Sequence, residues 1–290
     1  MPNSNSESGT FLTSKNGHQV YFKKTFFAKE GQKKTLNLYF FHGALEHHGR
    51  HEIFFNELAK IYDGNLRMIF IDFQGHGLSA GPRAYVENLN IYCEDVLTLM
   101  REQKDLDGVN VCMGHSMGGL ILLKTMIDYP SNIPIKIQGS LFSNPPILPK
   151  IKIPLPLETL LKKMKGVVTK IRIPNIYKGY DLTSLESRAN DFDSDPLINK
   201  FFTLGLAKEI KLNCEKIKGL AYLVDTPCLF LLSENDVIVD SKATQKFVTG
   251  INPSLAQECV YPHAKHDLLN EADSAKVRED IVVWLKSIGC

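Results

Sequence analysis

Short, continuous apolar runs alternate along the chain with longer stretches in which apolar positions recur every three or four residues. The runs at 36–41, 68–73, 109–113, 138–142, 228–232 and 258–261 read as strands, and apolar residues at consecutive positions imply burial on both faces of a sheet. Helical spacing falls at about 52–62, 88–104, 117–129, 241–250 and 274–288. This alternation predicts an α/β doubly wound fold, a mostly parallel sheet with helices on both sides. Ahead of it, 11–13 and 19–22 read as a hairpin around Asn16-Gly17, and the polar residues 1–8 are expected to be frayed.

One interval breaks the rhythm. From Pro146 to about Lys218 the chain opens with a Pro-rich stretch, continues in amphipathic helical patterns and contains no strand-like run. An alternation interrupted once predicts an insertion that folds over the sheet's edge as a cap. The expected organisation is therefore a core at 1–146 and 218–290 with a cap at 147–217.

Composition narrows the class. Of 290 residues, 43% are hydrophobic and 23% charged, which supplies a core and excludes a disordered or fibrous chain. The 34 lysines and arginines against 32 acids leave a net charge of +2, so no whole-molecule field attracts nucleic acid and none is expected as a partner. No stretch approaches the roughly 20 apolar residues of a membrane span, and the N-terminal residues lack a basic and apolar leader, so a cytoplasmic protein is expected. The six cysteines lack CxxC spacing and lie mostly in apolar runs, which predicts reduced thiols.

Candidate chemistry begins at Gly114-His115-Ser116-Met117-Gly118-Gly119, between a predicted strand and a predicted helix. Glycines two before and two after the serine permit the strained strand-to-helix turn that exposes a nucleophilic Oγ, and Gly119 is expected to let the helix pack close to the sheet. A serine hydroxyl needs a base, itself oriented by a carboxylate, and on such a sheet the order is serine, acid, histidine. Asp236 lies just past the strand end, after Ser233-Glu234-Asn235, whereas Asp240 stands where the next helix begins and reads better as its N-cap. After the run 258–261 come His263 and His266, with His266 beside the approach to the last helix. Two N–H donors for an oxyanion are expected from Met117 and from Ala44, in the loop after 36–41. His47 and His51 raise a zinc hypothesis, but Gly49 between them spoils helical register and the HExxH pattern is missing, so no metal is expected.

Several separated motifs together resemble the monoacylglycerol lipase and lysophospholipase branch of the α/β-hydrolases. They are His42-Gly43-Ala44-Leu45-Glu46-His47 through Arg50, Asp72-Phe73-Gln74-Gly75-His76-Gly77-Leu78-Ser79, the serine motif, Ser194-Asp195-Pro196-Leu197, Asp236, and His266 through Glu271. The resemblance implies an α/β-hydrolase fold with a helical cap and a carboxylic ester hydrolase with Ser116, Asp236 and His266 as triad, favouring His266 over His263. It implies Ala44 and Met117 as oxyanion donors, Glu46 and Arg50 as a brace of the oxyanion loop, a structural role for His76, and no cofactor. The expected substrate is a small acyl ester or lipid monoester, processed through an acyl-enzyme.

Two positions depart from the mammalian monoacylglycerol lipase pattern. Where that pattern has a tyrosine and a histidine that hold glycerol hydroxyls, this chain has Phe192 and Leu269. Both are expected on the substrate pocket, with Leu148 from the Pro-rich cap entry, and a pocket without those polar partners should discriminate poorly for glycerol. From Lys150 to Lys178 there are eight basic residues and one acid, Glu158, interleaved with apolar residues. Such a stretch suits either peripheral contact with a membrane surface or a cap whose lysines are merely solvated. Rival readings are a broad carboxylesterase, a proline-type aminopeptidase using Glu186, Asp191, Asp193 or Asp195 to hold a free amine, and a non-catalytic ligand receptor.

Overall fold

The alternation read from the sequence becomes one sheet sandwiched by helices. The computed structural model describes residues 4–12, 16–32, 34–150, 163 and 166–290. Its strands are β1 (Ser4–Leu12), β2 (Gln19–Phe27), β3 (Thr35–Phe41), β4 (Asn65–Ile71), β5 (Val109–His115), β6 (Ile137–Ser143), β7 (Arg172–Pro174), β8 (Phe201–Thr203), β9 (Cys228–Ser233) and β10 (Ala256–Tyr261). Eight of them form a sheet ordered β1-β2-β4-β3-β5-β6-β9-β10. The β1–β2 and β2–β4 pairs are antiparallel, and every pair from β4 to β10 is parallel. This is the α/β-hydrolase fold expected from the motifs.

Alternate residues of β3 show why the sheet is covered twice. Tyr39 and Phe41 pack with Tyr92, Val96, Leu120 and Leu123, from helices Asn90–Glu102 and Met117–Asp128. Leu36, Leu38 and Phe40 pack with Phe54, Phe55 and Leu58 of helix Glu52–Ile61 and with Val277, Ile281 and Trp284 of helix Ser274–Ser287. Each buried large side chain contributes about 1.5–3 kcal/mol, so both layers are needed to hold the sheet in place. All six cysteines are free thiols. Among the described residues, no helix is long and apolar enough to cross a membrane.

Three expectations change. Residues 4–8 are not frayed but continue β1, pairing with 23–27, because the backbone ladder supplies the order their polar side chains cannot. The strand expected at 68–73 runs from Asn65 to Ile71, and Phe73 belongs to the following turn, buried against His42 and Tyr92. The interval expected to lack strands holds the three-residue ribbon β7–β8, followed by helix Leu204–Ile217. Of the basic and apolar stretch at 150–178 considered for membrane contact, residues 151–162, 164 and 165 lie outside the described residues.

Candidate active site

The carboxyl ends of β5, β9 and β10 converge at one point. Ser116 follows β5 with φ 48° and ψ −120°, a left-handed conformation that a non-glycine residue occupies only under constraint. The constraint is visible on both sides. The Ser116 amide donates to the Ser143 carbonyl at 2.8 Å, and a side chain on Gly114 would overlap the backbone of Gly118 and Gly119. A side chain on Gly118 would overlap the Phe41 carbonyl of β3, and one on Gly119 would press on the Gly114 carbonyl of β5 at 3.2 Å, so both glycines let the helix pack close to the sheet.

His266 Nε2 lies 2.9 Å from Ser116 Oγ, and His266 Nδ1 lies 2.6 Å from Asp236 Oδ2. The other Asp236 oxygen accepts from the amides of Ile238 at 2.7 Å and Val239 at 2.9 Å, which fixes the carboxylate plane. Burial opposes ionisation of Asp236, but His266 and these amides outweigh it and lower its pKa. Burial likewise disfavours a charged His266, yet Asp236 prevails and raises the imidazole above its ordinary value. Asp240 accepts from the Ala243 amide as the N-cap of helix Ser241–Val248, and His263 is exposed away from this series. Ser116, His266 and Asp236 are thus connected, whereas Asp240 and His263 are not.

The residues of the loop after β3 gather beside Ser116. Met117 is the first residue of its helix, so its amide has no intrahelical acceptor, and neither it nor the Ala44 amide has an acceptor among the described residues. Both residues line the cavity at Ser116. Glu46 Oε1 accepts from the Gly43 amide at 2.6 Å and lies 3.0 Å from His51 Nε2, while Arg50 Nε donates to Glu46 Oε2 at 3.2 Å. The guanidinium continues to Asp267, the neighbour of His266. Burial raises Glu46, but His51 and Arg50 bring its carboxyl well below the ordinary range, and against burial Arg50 lowers Asp267 too.

This bridge from the oxyanion loop to the histidine loop joins residues 217 apart in sequence, and Asp267 carried no signal of its own. Asn144, with φ 45°, was also missed. Its Nδ2 donates to the His266 carbonyl at 2.8 Å and its Oδ1 accepts from the Ser233 amide at 2.8 Å, tying the histidine loop to β9. His76 is buried with Nδ1 3.1 Å from the Gln74 carbonyl, remote from Ser116's hydrogen-bond series.

His47 and His51, the pair weighed for zinc, engage different partners, His47 with Asp195 at 2.8 Å and His51 with Glu46. His47, His48 and Asp72 do bring ligand atoms within 4.8 Å of one another. His48 Nδ1 is already hydrogen-bonded to Asp72 at 2.8 Å, and burial with this partner, the partner prevailing, raises His48 to about 9.

Ser116 opens into a cavity of about 740 Å³, whose walls are apolar side chains such as Leu45, Ile147, Leu148, Phe202, Leu204 and Ile210. Phe192 and Leu148 stand on this wall as expected, and Glu46 touches its polar end. Leu269 does not. It sits in the short turn Leu268–Asn270 and packs into the layer formed by Leu58, Val277 and Ile281 beneath the sheet. A turn gives sequence spacing no fixed direction, so three residues after His266 points into the core rather than the cavity. Arg50 is absent from the wall, its guanidinium lying 4.7 Å from the Phe192 ring centre behind it.

With this geometry in place, comparison with known proteins is informative. The human monoglyceride lipase is 28% identical over 279 residues, 91% of this chain and 85% of that protein. A soluble variant of monoglyceride lipase from Saccharomyces cerevisiae, solved with a substrate analogue, superposes with a TM-score of 0.79 at 19% identity, covering 99% of this chain and 96% of that one. Against two larger curated relatives, the chain spans only 26% and 48% of their length. A family model described as serine aminopeptidase, S33, matches residues 32–273, and the chain therefore belongs to that family of α/β-hydrolases.

Proposed function

We propose that the protein is a serine ester hydrolase that releases fatty acid from lipid monoesters through an acyl-enzyme. The observation that carries this reading is the series Ser116–His266–Asp236 opening directly into an apolar cavity large enough for an acyl chain. Ser116 Oγ attacks the ester carbonyl as His266 Nε2 takes its proton, and Asp236 holds the imidazole and its developing charge. The carbonyl oxygen, now an anion, accepts from the free amides of Ala44 and Met117. His266 returns the proton to the departing alcohol, then deprotonates water, which attacks the acyl carbon and frees Ser116 and the fatty acid. Residues 147–217 act in this reading as the cap over the acyl cavity.

The family's description raises an aminopeptidase, and the placement of the four acids considered for a substrate amine favours the ester reading instead. Asp195 is engaged by His47 and Asp191 by Arg188, and neither these nor Glu186 and Asp193 line the cavity at Ser116. The test is hydrolysis by the purified protein of monoacylglycerol, lysophosphatidylcholine and an aminoacyl amide. Ester turnover without amide turnover is expected, and faster amide turnover would overturn the assignment. The base must be neutral to act, so kcat/KM is expected to rise with pH through a limb centred above the ordinary imidazole value of 6.5. An acid limb below that value would show that Asp236 does not govern His266.

The placement of Leu269 replaces the expectation that it reads the alcohol. Leu269→His puts a polar ring in an apolar layer and is expected to lower stability by roughly 1–3 kcal/mol. Denaturant unfolding measures that loss. The ratio of kcat/KM for monoacylglycerol over an equal-chain methyl ester should stay within about twofold of wild type, since this side chain does not face substrate.

A further inference from the structure

The proton's path fixes the side of the cavity on which the alcohol leaves. On the reading of Ser116 and His266 given above, His266 Nε2 hands its proton to the departing oxygen, so the alcohol portion lies against the His266 loop. That side is bounded by Leu182, whose carbonyl accepts from the Asp267 amide at 2.8 Å, and by Phe192 over Arg50. Tyr177 stands there too, its hydroxyl pKa raised by burial and by Asp236. Beyond Phe192 and Tyr177 lies a second cavity of about 390 Å³, which shares Asn175, Tyr177 and Phe192 with the first. Its remaining wall is Lys178, Tyr180, Asp193 and Lys200. The acyl side is a greasy tunnel, and the alcohol side ends in a charged recess.

The two lysines are available to a ligand. Lys200 Nζ donates to the carbonyls of Asp193 at 3.0 Å and Phe192 at 3.4 Å, which hold the ammonium against the wall without neutralising it. Among the described residues, neither Lys178 nor Lys200 has a carboxylate partner at ion-pair distance. The only acid in this wall, Asp193, accepts from the Gly179 amide through Oδ1 at 3.1 Å. Two uncompensated ammoniums against one carboxylate leave the recess positive in a chain whose net charge is only +2. A glycerol hydroxyl gains little from such a site, because it brings no charge. A phosphate brings both charge and acceptor oxygens, and a cleft concentrates the field that draws it in.

We propose that this second cavity is the head-group site and that Lys178 and Lys200 bind a phosphate there, which makes lysophospholipids preferred over monoacylglycerols. Tyr177, Tyr180 and Asp193 offer the same recess aromatic and anionic surface for the cationic end of a zwitterionic head group. The inference rests on the ester-hydrolase reading, and the experiment separates the two.

Kinetics are measured on three short-chain esters with one acyl group, presented as monomers so that surface attraction plays no part: monoacylglycerol, its 3-phosphate and its 3-phosphocholine. At least one phosphate ester is expected to exceed monoacylglycerol in kcat/KM by about tenfold or more, equivalent to roughly 1.4 kcal/mol. The advantage should shrink as salt screens the recess. Lys178→Gln with Lys200→Gln should bring the phosphate-to-glycerol ratio close to one, and Lys200→Glu should lower it further, with thermal melting confirming folded protein. A wild-type ratio near one, or a ratio unmoved by both variants, overturns the head-group site and leaves the esterase reading standing. Failure to hydrolyse any of the three overturns both.

Discussion

Replacing Ser116 by alanine is expected to lower kcat for ester hydrolysis by on the order of 10⁶, because losing the nucleophile of a triad removes the covalent route entirely. The fold should survive. Ser116 contributes one side-chain hydrogen bond, to His266, and the constraint on its backbone comes from the Ser143 carbonyl and from Gly114 and Gly118. Alanine suffers the same φ of 48° without adding bulk, so the melting temperature should move little. Labelling by a fluorophosphonate reports the hydroxyl independently of substrate choice, and it should vanish in the variant while unfolding stays cooperative. Retained labelling, or activity near wild type, would remove Ser116 from the mechanism.

How much of this was legible in the sequence differs from residue to residue for physical reasons. β3 and β5 were readable because strands buried on both faces write continuous apolar runs, and the turn after β5 because only glycine fits where a side chain would strike β3 or the next turn. Of β1 only the end at 11–12, paired with 19–20, was readable as part of a hairpin, whereas residues 4–8 were not, because an edge segment with polar side chains is specified by its partner's hydrogen bonds and leaves no period of its own. β4 was displaced because Phe73, apolar and adjacent to the run, is buried in a turn for the same reason as its neighbours are buried in a strand.

At the site, the serine motif, the position of Asp236 past a strand and the family resemblance that favoured His266 named Ser116, Asp236 and His266 but could not show what holds them. The link from Gly43 through Glu46 and Arg50 to Asp267 crosses from the loop after β3 to the loop after β10, and nothing local announces it. Its chemistry is a buried ionic cluster, in which removal of one partner strands the other and costs about 3–5 kcal/mol. Such a cluster sets the relative position of the two loops that, in the proposed mechanism, serve the same ester carbonyl. The recess at Lys178 and Lys200 was similarly hidden, since its residues lie on segments whose proximity depends on how 166–217 folds back over the core.

Alanine at His266 and at His263 should give opposite results. His266→Ala removes both the proton acceptor for Ser116 and the donor to the leaving alcohol, and is expected to cost kcat about as much as loss of the serine, again on the order of 10⁶. His263 stands two residues past β10, exposed and without a hydrogen bond to Ser116 or Asp236, so its replacement should change kcat by less than about twofold. The buried variant leaves Asp236 without its imidazole, but its carboxylate keeps the Ile238 and Val239 amides, so the loss should appear in rate far more than in folding. Single-turnover measurement of acylation, with unfolding followed in parallel, separates the two effects. Equal losses at both positions would point to a folding defect, and the reverse order would transfer the base to His263, which has no acid hydrogen-bonded to it among the described residues.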